Sequence, residues 1–191
     1  MERPRRVESK IAPITPNEIS IGGVKVEKRL INYDERGFLI KSYDVDEEVE
    51  PSVYTYISLT YAGWARDRDR YHFHKLQKDR FTVFQGTFLV ILFDQRVDSP
   101  TFGRLEVVKM CGGNSVLRQR MKIPTYTIII PENVYHGIKN PGPGDAIITN
   151  HPTKCYRDGS DEGRVLFSNF PIKSLDGQCF SWDKVELGNL F

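Results

Sequence analysis

Two histidines two positions apart, His72 and His74, sit in the stretch Arg70-Tyr-His-Phe-His-Lys-Leu-Gln-Lys-Asp79 of a chain that has only four histidines. Imidazole changes charge nearest neutral pH, so it serves as a proton-transfer base or as a metal ligand. On an extended strand, side chains two apart share a face, which would send both rings into the same space. Asp79 follows, and a hairpin over residues 75–78 would bring its carboxylate round to join them. A third imidazole, His136, stands behind the apolar run in Ile128-Ile-Ile-Pro-Glu-Asn-Val-Tyr-His136. His72, His74, Asp79 and His136 make three nitrogen donors and one oxygen donor, a set suited to one divalent metal ion such as Zn, Fe, Mn or Ni. The same four residues could instead be interior polar groups that satisfy one another through hydrogen bonds and water. His151 fits neither pattern and reads as a loop histidine.

Positioning such a cluster requires strands, and the chain supplies them. Segments 24–31, 52–61, 80–84, 87–93, 104–110, 125–130 and 146–149 are rich in β-branched and aromatic residues. Gln85-Gly86 predicts a hairpin turn, and Asp98-Ser-Pro100, Cys111-Gly-Gly-Asn114 and Asn140-Pro-Gly-Pro-Gly144 carry further turn signals. No 3.6-residue periodicity of any length precedes the tail. The expectation is an all-β chain, an antiparallel sandwich or barrel whose mouth can hold a ligand. Residues 1–20 read as an N-terminal arm, 21–175 as the domain, and 176–191 as a C-terminal tail that could be helical.

Composition narrows the partners. A net charge of +2 and basic runs broken by Asp67 and Asp69 are too weak an electrostatic footprint for nucleic acid. Two or three arginines are enough for an anionic small molecule, and Arg66 and Arg70, on the approach to His72, are candidates. Cys111, Cys155 and Cys179 are scattered and odd in number, which suits a reducing, cytoplasmic setting. No apolar run approaches the ~20 residues of a membrane helix, and the charged N-terminus does not resemble a signal peptide.

The two histidine segments resemble the paired signatures of the cupins. His72, His74 and Gly86 fit the first, with Asp79 at its usual glutamate. Pro131, His136 and Asn140 fit the second, with Asn133 in place of a glycine; asparagine tolerates the left-handed conformation required there. From about Leu30 to Asn169 the chain resembles one cupin family, the dTDP-4-dehydrorhamnose 3,5-epimerases. The matching stretches are Asp34-Glu-Arg-Gly-Phe38, Ser99-Pro-Thr-Phe-Gly103, Ile130-Pro-Glu-Asn-Val-Tyr-His-Gly137 and the acidic loop Asp158-Gly-Ser-Asp-Glu-Gly-Arg164. The resemblance implies a double-stranded β-helix (jelly roll), a homodimer, a sugar-nucleotide substrate and no organic cofactor. It implies that His72 abstracts a proton beside a ketone and that Arg36 contacts phosphate.

The chain departs from that family at four positions. Asp79 stands where a lysine would stabilise the enolate, Asn150 where a tyrosine would return the proton, Asn169 where an aspartate would orient the base, and His74 where glutamine is usual. Two repairs are open: a metal on the four-residue cluster, with Tyr135, Tyr156 or metal-bound hydroxide carrying protons, or a metal-free site in which His72 keeps its role beside His136. A metal cupin of another reaction class and a carbohydrate-binding cupin without catalysis are the remaining readings.

Overall fold

In the computed structural model, residues 10–44, 50–115, 124–155 and 161–188 are described. In chain order the strands are β1 (Lys25–Arg29), β2 (Ile31–Asp34), β3 (Gly37–Ile40), β4 (Tyr56–Thr60), β5 (Arg70–His74), β6 (Asp79–Gln85) and β7 (Thr87–Asp94). They continue as β8 (Leu105–Cys111), β9 (Thr125–Ile130), β10 (Val134–Lys139), β11 (Ala146–Asn150), β12 (Glu162–Leu166), β13 (Pro171–Ile172) and β14 (Gln178–Cys179). Two five-stranded antiparallel sheets result, one ordered β1-β9-β6-β11-β4 and the other β12-β5-β10-β7-β8. The pairs β2-β3 and β13-β14 form separate ribbons. This is the jelly-roll arrangement expected of an all-β cupin. Among the described residues no helix is long and apolar enough to cross a membrane.

Two expected hairpins are instead passages between sheets. Strands β6 and β7 flank Gln85-Gly86 but belong to different sheets, and so do β5 and β6 around residues 75–78. Gly86 is needed at the first crossing: its φ is +70°, and a Cβ there would stand 2.9 Å from the Ala146 Cβ. The single strand expected over 24–31 is divided into β1 and β2, which lie in separate sheets.

Strand β7 explains how the layers hold together. All eight of its residues are buried, because both of its faces are covered. Phe88, Val90 and Leu92 point between the sheets and pack with Val83, Val108, Met110, Ile128, Ile130 and Ile148. Leu89, Ile91 and Phe93 point outward and are covered by Phe167, Ile172, Leu175, Phe180, Trp182 and Val185 from the C-terminal segment. Each fully buried aliphatic or aromatic side chain contributes about 1.5–3 kcal/mol relative to exposure. Where the tail admitted a helix, it makes a single 3-10 turn, Trp182–Lys184, and lies across the second sheet. The arm is tied in by bridges from Ile11 to Val185 and from Ile14 to Val108.

Candidate active site

Strand alternation sets the site. Tyr71 and Phe73 point outward, Tyr71 against the rings of Phe93, Phe167 and Phe180 and Phe73 stacked on Tyr135 at 4.5 Å. His72 and His74 therefore project the other way, toward the first sheet. His136 and Arg164 are the register partners of His72 on the two neighbouring strands. The turn before β10 depends on Asn133, whose φ of 60° is the left-handed value anticipated for it. Its N–H donates to the His74 carbonyl oxygen at 2.7 Å, which fixes one signature against the other. From the opposite sheet come Asp79, at the start of β6, and Asn150, at the end of β11, both buried.

The four predicted residues converge. His136 Nε2 lies 3.2 Å from Asp79 Oδ2 and its Nδ1 lies 2.9 Å from the Val134 carbonyl oxygen. Both ring nitrogens of His136 thus face acceptors. Asp79 Oδ1 accepts hydrogen bonds from the amides of Gln77 and Asn150, each at 2.8 Å. Burial alone would raise the Asp79 carboxyl; the hydrogen bond and charge of His136, the charge of His74 and the Asn150 amide outweigh it and hold the group well below the usual carboxylate range. Gln77 was not anticipated. It occupies the inter-sheet passage, and only the true course of residues 75–78 turns it inward.

His72 and His74 meet through their Nε2 atoms at 2.9 Å. The Gln77 amide nitrogen also faces His74 Nε2, at 3.0 Å, and His74 Nδ1 lies 3.3 Å from Asp161 Oδ2. With its proton on Nδ1, His74 has one lone pair on Nε2, which can accept from His72 Nε2 or from the Gln77 amide; in the first case His72 donates from Nε2. The lone pair of His72 is then on Nδ1. That nitrogen faces Glu162 at 3.6 Å and Asp67 at 4.0 Å, too far for a hydrogen bond but near enough to favour a positive charge on the ring. These two carboxylates stand where the resemblance suggested Asn169, and Arg164 ties them together by ion pairs to both. Burial, then the charges of His136 and His74, push His72 down from its ordinary value, so it rests neutral, as a base must.

Among the described residues no group of three or more His, Cys, Asp or Glu side chains is arranged to hold a metal ion. The physical reason is visible in the contacts above. The two Nε2 atoms of His72 and His74 are spent on each other, and both nitrogens of His136 face acceptors. The donor set in this arrangement does not fit a metal, and no chemical step is assigned to one.

Above the cluster opens a cleft of about 370 Å³, within the range of small-molecule sites. His72, His136, Gly137, Ile138 and Arg164 line it from one sheet, Tyr56, Ser58, Asp79, Phe81 and Ile148 from the other, and Arg66 and Asp67 from the connecting loop. Of the expected anion contacts, Arg66 is in place, its guanidinium held by Ser58 Oγ and by the Leu59 carbonyl at 2.8 Å. Arg70 is half-exposed and paired with Asp69 outside the lining. Arg36 sits on the β2-β3 ribbon, exposed and paired with Asp34, away from this cleft. Asn150 is beneath the cleft, supporting Asp79 and accepting the Arg80 N–H at 2.8 Å. Tyr135 faces the outer aromatic cluster. Tyr156 lies outside the described residues. His151 is held apart by Ser42, Thr55 and a stacked Tyr43.

Comparison with known proteins places this geometry. The chain is 32% identical over 153 residues to the probable low-salt glycan biosynthesis epimerase Agl13 of Haloferax volcanii, covering 78% of this chain and 89% of that one. It belongs to the dTDP-4-dehydrorhamnose 3,5-epimerase-like family of cupins. This epimerase-family chain is also 31% identical over 154 residues to the spore coat polysaccharide biosynthesis protein SpsL of Bacillus subtilis, with 80% and 93% coverage. The fold matches a dTDP sugar isomerase of Desulfovibrio desulfuricans G20 with a TM-score of 0.71, 21% identity, and coverage of 87% of this chain and 95% of that one. No family model matches the chain. Membership makes it an enzyme of the isomerase class. Arg164 escaped the sequence reading, which quotes it only as the end of an acidic loop; of Trp64 and the tyrosines at 54, 56 and 61, which the sequence offers for the cavity mouth, Tyr56 lines the cleft.

Proposed function

We propose that this epimerase-family enzyme inverts a carbon next to the ketone of a 4-keto hexose carried on a nucleoside diphosphate, by removing and returning a proton without a metal. The observation that carries the reading is His72 in the wall of the cleft, its Nδ1 without a hydrogen bond, beside His136 and Asp79 in the same lining. His72 takes the proton from carbon. The bonding pair moves to the ketone oxygen, and the enolate forms above the floor where His136 offsets the carboxylate of Asp79. Charge attraction is least screened in such a buried floor. Arg66 and Arg164 supply the cationic rim that an anionic carrier requires, since guanidinium pairs bidentately with phosphate.

The names of the relatives support the substrate class: one is a glycan biosynthesis epimerase and one structural neighbour a dTDP sugar isomerase. The enzyme works as a homodimer in the cytoplasm. Strand β4 is an edge of its sheet, and Leu30, Leu39, Ile57, Leu59 and Tyr61 around it and the β2-β3 ribbon are exposed apolar residues that a second copy would cover. A dimer would also give Arg36, remote from its own cleft, a neighbouring site to serve. Light scattering on the purified protein checks the stoichiometry.

The deciding experiment incubates the enzyme with a panel of 4-keto nucleotide sugars in heavy water. Deuterium is expected at a carbon flanking the ketone with wild type and is lost in His72→Asn. Binding without exchange across the panel would leave a carbohydrate-binding cupin. Elemental analysis tests the metal-assisted alternative. One equivalent of Zn, Fe, Mn or Ni retained on purification would mean that His72 and His74 swing apart to bind it.

A further inference from the structure

Inversion needs an acid on the face of the substrate opposite the base. The buried cluster offers none: Asn150 is an amide, His74 lies on the same strand and side as His72, and His136 is engaged with Asp79. Among the described residues the cleft lining contains a single phenol, Tyr56, on β4 of the first sheet, across the opening from His72 on β5 of the second. Its register partner is Asn150, whose Nδ2 donates to the Tyr56 hydroxyl oxygen at 3.1 Å. The amide thereby leaves the phenolic proton free to point elsewhere. The ring stands at the cleft mouth, 40% exposed, while the hydroxyl is drawn inward by that bond.

We propose that Tyr56 is the catalytic acid, delivering the proton to the enolate carbon from the face opposite His72, with Asn150 as the residue that positions it. The inference rests on the proton-transfer reading above and adds the second half of the reaction. In the first half the carbon–hydrogen bond breaks, its electron pair forms the enolate and His72 becomes an imidazolium. In the second half the enolate carbon takes the Tyr56 proton, the carbon–oxygen double bond re-forms, and the phenol is left as phenolate. Proton return through solvent from His72 to Tyr56 restores both groups, so no other reactant is consumed. Burial, followed by the negative charge of Asp79, raises the phenol above its ordinary range, which keeps it in the protonated donor form. Tyr54 lies tilted beside it with ring centroids 6.2 Å apart but does not line the cleft.

The test separates proton removal from proton return. With a substrate that wild type inverts in heavy water, Tyr56→Phe should keep deuterium exchange at the acidic carbon while the rate of inverted product falls about 100-fold or more. Tyr54→Phe should match wild type in both. Inversion by Tyr56→Phe at the wild-type rate overturns the assignment, and so does equal loss of exchange and inversion in a variant that still binds the nucleotide sugar. If Tyr56→Phe fails to fold, a fluorotyrosine at position 56 preserves size and hydrogen bonding; a changed ratio of inversion to exchange supports the acid, and an unchanged ratio overturns it. Absence of exchange in wild type removes the underlying reading as well, which distinguishes the two failures.

Discussion

Two carboxylates, Asp79 in the first sheet and Asp94 in the second, are buried, and both are held well below the ordinary carboxylate range. Burial would raise Asp94; the guanidinium of Arg96, two hydroxyls and a backbone N–H more than reverse it. Arg96 Nε and Nη2 each approach it at 2.8 Å, and Ser99 and Thr101 donate to it at 2.6 Å. Every acceptor site is used and a permanent cation closes the circuit, so this knot fastens the Ser99-Pro-Thr-Phe-Gly103 turn. Among the described residues no lysine or arginine pairs with Asp79. Its partners are two amides and two imidazoles, which can exchange protons, and a cleft opens above it. Equal burial therefore produces a rivet in one place and reactive chemistry in the other, according to whether the compensating cation can titrate.

Substitutions can break that contrast, in descending order of effect. His72→Asn is expected to lower kcat by ~10²–10⁴, the usual contribution of a general base, with little change in Tm; steady-state kinetics and calorimetry check both. Asp94→Ala should do the reverse. Leaving Arg96 and two hydroxyls without their acceptor costs about 3 kcal/mol, a Tm fall of roughly 6–12 °C for a chain of this size, with kcat nearly unchanged at low temperature. The pH dependence sharpens the point. A depressed carboxyl contributes stability that is fully present above its unfolded value near 4 and is lost as pH falls through the folded value. Wild type should then lose stability more steeply than Asp94→Ala in acid titrations below about pH 4.

Asp79→Asn is expected to reduce kcat by about ten- to a hundred-fold, because His136 loses the carboxylate that holds its ring in place. A stability loss equal to that of Asp94→Ala, with full activity, would erase the distinction between the two sites. Arg164→Ala should raise KM about tenfold, near the ~1.4 kcal/mol of one modest ionic contact, whereas Arg70→Ala should change KM less than twofold.

The sequence disclosed the fold through alternation and turn chemistry, and the family through motifs such as Ser99-Pro-Thr-Phe-Gly103. It also disclosed the convergence of His72, His74, Asp79 and His136, because side chains two apart must share a face. It did not disclose that Gln85-Gly86 and residues 75–78 pass between sheets. A positive-φ glycine is equally compatible with a hairpin and a crossing, so the inward placement of Gln77 was hidden. Arg164 was illegible for a related reason: its place beside His72 comes from the pairing of β12 with β5, a contact between distant segments. The sequence offers Tyr56 for the cavity mouth only in company with Tyr54, Tyr61 and Trp64, and its rung opposite Asn150 sets it apart.

The C-terminal segment lies behind β5, and its rings press on the back of the strand that carries the imidazoles. Trimming Phe180 or Trp182 would leave every polar group of the cleft untouched yet loosen the mount on which the base is held. The reaction's rate is in this sense adjustable from the far side of the sheet, by residues that no substrate ever meets.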